Sequence, residues 1–137
     1  MNTVPLSDAT TQHIQLELLR RAGFNAFDGH RVAASLERHE DLWLAACMDR
    51  LGVTWRHDPE RLPSGSLIKL RDLRGNHWNA DTLFVLTDNR YQARTVARLA
   101  VEERWHPDDI TVHTDEEAAD ALGMGHHTHG LVSLWWD

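Results

Sequence analysis

Three aspartates each follow a run of strand-forming residues. Leu83-Phe84-Val85-Leu86 leads into Thr87-Asp88, Ile110-Thr111-Val112-His113 into Thr114-Asp115, and the run Leu131 to Trp136 into Asp137. In open α/β sheets, ligands bind beyond the carboxyl ends of the strands. Asp88, Asp115 and Asp137, with Asn89 and Trp136 beside them, would form a ligand- or partner-binding edge there. Carboxylate oxygens also suit a hard divalent cation such as Mg²⁺, which could orient a phosphate for transfer or hydrolysis. The competing role is local. Thr114-Asp115-Glu116-Glu117 has capping-box spacing, and Asp88 stands just before a helical pattern, where Asp is favoured.

Three imidazoles crowd one loop, Gly125-His126-His127-Thr128-His129-Gly130. Imidazole binds Zn²⁺, Ni²⁺ and Cu²⁺. A closed site on His126, His127 and His129 would need a fourth ligand, from His106, His113 or a neighbouring chain. The loop leads into a strand, so a parallel sheet places it at the edge opposite the aspartates. Otherwise it is a solvated polar loop.

Arg90, Arg94 and Arg98 recur every four residues along a helical pattern. Guanidinium forks suit phosphates and carboxylates, so this stripe is a candidate anion- or partner-binding face. Its alternative is a solvated face in which Arg98 pairs with Glu102. In Glu37-Arg38-His39-Glu40-Asp41, a half-buried His39 beside carboxylates could act as a general base; it could equally pack, or mark a helix break. Cys47 falls among apolar residues and reads as core.

The motifs of several chemistries are missing. No G-x-G-x-x-G or Walker A sequence follows a strand, and no His-Glu-x-x-His occurs. No serine occupies a nucleophile elbow, and one cysteine supplies no zinc finger.

The elements that must position these groups fall into two parts. Helical patterns occupy residues 8–22 and about 29–51, the second as one helix or two broken near His39. Residues 52–66, with Pro59, Pro63 and Gly65, read as a connector. Leu67-Ile68-Lys69-Leu70 reads as a short strand. Strands then alternate with helices at about 89–104 and 115–122. Leu83–Leu86 is apolar throughout, so both its faces should be covered, whereas Ile110-Thr111-Val112-His113 alternates, as an edge strand does. The expectation is an α/β domain spanning residues 1–137. It has an N-terminal helical layer (1–62) and a small, mostly parallel βαβαβ sheet of about four strands (63–137). The 83–86 strand lies between the other two, and Asp88 and Asp137 flank a switch point.

Composition narrows the function classes. The 137 residues carry a net charge of −7, mostly from the second part. That field repels nucleic acid and anionic membranes, and no run reaches the length of a membrane span. A single cysteine fits a reducing cytoplasm. Lys69 is the sole lysine among fourteen basic residues, an Arg bias we read as that of a high-GC bacterial genome. Six tryptophans suit cores and interfaces alike. These features point to a small cytoplasmic binding or regulatory protein acting through protein contacts, with a protein partner or a homodimer. The alternative is a metal-dependent enzyme acting on a phosphorylated substrate at the aspartate edge.

Overall fold

The computed structural model describes residues 4–49, 69–123 and 128–137. A 3₁₀ turn, Leu6–Asp8, precedes α1 (Thr11–Arg20). A two-stranded ribbon follows, β1 (Gly23–Phe24) and β2 (Phe27–Asp28), and then α2 (Gly29–Arg38). A second 3₁₀ turn, Glu40–Leu42, leads into β3 (Ala45–Met48). The rest is α3 (Leu70–Arg74), β4 (Thr82–Thr87), α4 (Arg90–Glu102), β5 (Asp109–Val112), α5 (Asp115–Leu122) and β6 (Gly130–Trp135).

The main sheet has the order β3-β4-β6-β5, and every neighbouring pair is antiparallel. This overturns the mostly parallel βαβαβ sheet, and the N-terminal part is not purely helical, since it supplies the edge strand β3. Strands β4 and β5, linked through α4, do point the same way, but β6 lies between them running the other way. The reason lies in where α5 is buried. Its Ala118 packs over Phe84 and Leu131, which holds the chain beside the edge where β5 ended. The chain enters β6 there, and Val112 pairs with Val132. The 83–86 strand consequently does not separate the other two; β6 does.

The helical pattern from 29 to 51 also breaks. Asp28 caps α2 by accepting from the Arg31 amide, and the helix stops at Arg38. His39 leaves helical geometry at φ −123°, ψ 42°. Trp43 Nε1 donates to Leu36 O at 2.8 Å and seals the end. The next apolar run, Ala45–Met48, pairs with β4. A short apolar run does not distinguish helix from strand by periodicity, and pairing decides here. The strand expected at 67–70 falls partly outside the described residues, and its last member, Leu70, begins α3.

One face of the sheet carries the main core. Ala46, Met48, Leu83, Val85, Val132 and Leu134 meet α1 and α2 toward β3, and meet Ala93, Val96 and Ala100 of α4 toward β6. Trp105 and Trp136 close the far end, each 1% exposed. The opposite face holds the smaller cluster of Phe84, Leu131 and Ala118 under α5. The apolar Leu83–Leu86 strand is thus covered on both faces, as its composition demands.

Candidate functional site

The three aspartates do not converge. Asp88 and Asp115 follow β4 and β5 at one edge, separated by β6, roughly 10 Å in the sheet plane. Asp137 follows the reversed β6 and lies at the other edge. There its amide donates to Asp108 Oδ2 at 2.7 Å and its carbonyl accepts from Asn25 Nδ2 at 2.5 Å. Trp136 is no surface contact: it is 1% exposed, stacks edge-on to Phe27, and donates from Nε1 to Trp105 O.

The remaining edge is built largely of caps. Asn89, and not Asp88, is the N-cap of α4 and accepts from the Gln92 amide at 2.9 Å. Thr114 and Glu117 form the reciprocal capping box of α5, and Gly123 ends that helix in the left-handed region at φ 81°.

His129, just before β6, lies at this same edge, contrary to the parallel expectation, because Gly130 pairs with Thr87. A Cβ on Gly130 would stand 2.2 Å from Asn89 O and 2.5 Å from Thr87 Oγ1. His129 therefore enters next to the start of α4. His126 and His127 lie outside the described residues. Among the described residues no group of three or more His, Cys, Asp or Glu is placed to hold a metal ion.

Two polar constellations emerge that residue spacing did not reveal. In the first, Glu103 joins α4 to the end of α2. Its carboxylate accepts from Ser35 Oγ at 2.5 Å and Arg38 Nη2 at 2.7 Å, and meets His39 Nε2 at 2.9 Å. The Ser35 bond, then those of His39 and Arg38, hold the carboxyl down at about 2, against the opposing pull of burial. His39 thus does meet a carboxylate, but a distant one, Glu103. The carboxylate lies between Ser35 and His39, so the imidazole has no hydroxyl to activate. The cluster is a tether.

In the second, His113 Nε2 lies 2.8 Å from Ser133 Oγ while Nδ1 faces Glu117 Oε1 at 3.4 Å. His113 is 2% exposed, and burial lowers its pKa although Glu117 pulls the other way. Glu117 is itself lowered, chiefly by the Thr114 amide. Hydroxyl, imidazole and carboxylate are in relay order, the order that activates a serine nucleophile. The setting withholds the rest of that chemistry. Ser133 sits in the middle of β6, whose backbone N–H groups are engaged by β4 and β5 on either side. No pair of free β6 amides is left beside Ser133 to face an oxyanion. The Ser133 bond satisfies Nε2 of the buried imidazole, while Nδ1 faces Glu117 without a hydrogen bond. The relay's members lie just after β5, on β6 and on α5, so only the strand order brings them together.

Arg90, Arg94 and Arg98 do share one side of α4. Its apolar residues, Ala93, Val96, Leu99 and Ala100, face the sheet. None of the three arginines makes an ion pair among the described residues, and the expected Arg98–Glu102 pair is not formed. Arg90 Nε is buried without a hydrogen-bond partner. Tyr91 and Val101 stand beside them, 70% and 66% exposed.

Cys47 lies on β3, not on a helix, and is half-buried. Burial, with Asp49 nearby, pushes its thiol up to about 11, which removes the thiolate a nucleophile needs. Among the described residues the exposed tryptophan is Trp135, whose Nε1 donates to Asp81 Oδ2 at 3.1 Å.

Comparison with protein-family models, characterised proteins and solved structures finds no match for this chain.

Proposed function

We propose that the protein is a non-enzymatic binding or regulatory protein that docks an acidic partner on the outer side of α4. One observation carries this reading. On a chain of net charge −7, Arg90, Arg94 and Arg98 form a cationic stripe without ion pairs among the described residues, beside an exposed tyrosine and valine. Arginine with an aromatic neighbour is the composition of contact surfaces, and guanidinium forks are strongest against carboxylates or phosphates. Among the other candidate groups, Asn89 and Glu117 are engaged in helix caps, and His39 and Glu103 in a tether.

The test is charge reversal. Wild-type chain and Arg94→Glu/Arg98→Glu are used as bait on extracts of the source cells, at low and high salt. A stoichiometric acidic protein should be captured by wild type, released by salt, and missed by the variant at unchanged melting temperature. Capture of nothing, or equal capture by both, would sink the reading. The competing metal-dependent reading has, among the described residues, Asp88, Asp115 and His129 at one edge. Titration with Mn²⁺ and Zn²⁺, repeated on Asp88→Ala, addresses it separately.

A further inference from the structure

The two edges of the main sheet are treated differently. At β3 the outward backbone groups are covered by side chains. Gln12 donates from Nε2 to Ala46 O at 2.8 Å and accepts from Ala46 N at 2.9 Å. Trp78 Nε1 donates to Met48 O at 2.8 Å. Such covering is how proteins blunt a sheet edge. At β5 nothing equivalent exists among the described residues. The bond from His113 N to Leu131 O sets the phase of the β5–β6 ladder. Antiparallel strands bond at alternate residues, so the N–H and C=O of Ile110 and Val112 point away from β6 with no partner in the described residues.

Apolar side chains line one face of this edge. Ile110 and Val112 are only partly buried, on the same face as Ala97 of α4. Glu103 faces α2, as its bonds to Ser35, Arg38 and His39 require. At about 100° per residue, Val101 lies roughly 160° around from Glu103 and so faces away from α2, toward the β5 side. Val101 is 66% exposed.

We propose that β5 is the pairing edge of a homodimer: two copies join antiparallel with Thr111 on the two-fold axis, making one continuous sheet. A two-fold interface must be self-complementary, and this register is. Ile110 meets the partner's Val112, each pair exchanging both N–H···O bonds and covering each other's exposed side. Asp109 falls opposite the partner's His113 instead of another carboxylate, so the acids that would deter a random edge contact are kept apart. The inference is independent of the acidic partner proposed for α4.

Thr111 becomes a non-hydrogen-bonded pair on the axis, with Cα atoms about 4.5 Å apart, inside the range a disulfide spans. In a Cys47→Ala background, Thr111→Cys should give a disulfide-linked dimer under mild oxidation. Asp109→Cys should not, because four residue rises, roughly 13 Å, separate its two copies. Sedimentation of the full chain should show a monomer–dimer equilibrium. Ile110→Pro removes an outward N–H and no internal bond, so it should weaken association at least about tenfold. Thr111→Lys, which sets like charges on the axis, should do the same with circular dichroism unchanged. A monomer at all concentrations, or cross-linking no faster for Thr111→Cys than for Asp109→Cys, overturns the proposal. The dimer must also persist in Arg98→Glu; its loss there would assign the association to α4 and overturn the edge.

Discussion

The Glu103 tether makes the sharpest prediction about stability. Its carboxylate binds Ser35 Oγ, Arg38 Nη2 and His39 Nε2, and Ser35 is 0% exposed. The folded protein holds this carboxyl at about 2, against an ordinary 4.5. Retained in full, that difference is worth roughly 3 kcal/mol. A quarter of the side chain, 24%, meets solvent, and screening leaves about 1–2 kcal/mol. A depressed carboxyl contributes above its unfolded value and loses that contribution as pH falls through the folded one. The window is therefore from about 4.5 down to about 2. Glu103→Gln keeps the shape and removes the charge. In urea melts it should cost about 1–2 kcal/mol at pH 7, and the gap to wild type should close as pH drops from 4.5 toward 2. Equal stability at pH 7, or a gap that is the same at pH 7 and near pH 2, would refute the charge-based tether.

Three further outcomes follow from particular contacts. Gly130→Ala places a Cβ against the backbone oxygen of Asn89; it should cost about 2 kcal/mol or more in urea titration, because backbone cannot yield as a side chain does. Gln12→Ala strips two hydrogen bonds from Ala46 and should cost about 1–2 kcal/mol, with faster amide exchange at Ala46. Cys47, raised to about 11, should react with a disulfide reagent at neutral pH about a hundredfold more slowly than a thiol at the ordinary value, and as fast once unfolded.

Local signals in the chain were legible where the cause was local. The spacing of Thr114 and Glu117 reads directly as the capping box that forms, and Gly123 as the stop that ends α5. The apolar run at 83–86 identifies a strand covered on both faces, and the alternation from Ile110 to His113 an edge strand. Strand direction is a different kind of property. It depends on where α5 leaves the chain, and β6 of either polarity would show the same apolar residues. That one reversal moves Asp137 to the far edge and brings His129 to the near one. It also creates the His113–Ser133 contact, which no spacing in the chain could announce. The run at 45–48 fails for a related reason: four apolar residues satisfy either period, and β4 supplies the decision.

The antiparallel order has a functional consequence as well. A parallel sheet gathers its strand ends, with their loops and helix starts, at one rim where a ligand can be held. Here β6 runs against β4 and β5, so the polar strand ends are divided between two rims, and Asp88 and Asp115 share theirs mainly with caps. Surfaces lose nothing by this arrangement. The outer side of α4 and the free edge of β5 are both continuous, and both leave binding groups unmatched among the described residues, guanidinium forks in one and backbone amides in the other. The cationic side of α4 and the unguarded strand β5, each unmatched among the described residues, are the two surfaces on which the proposed recognition rests.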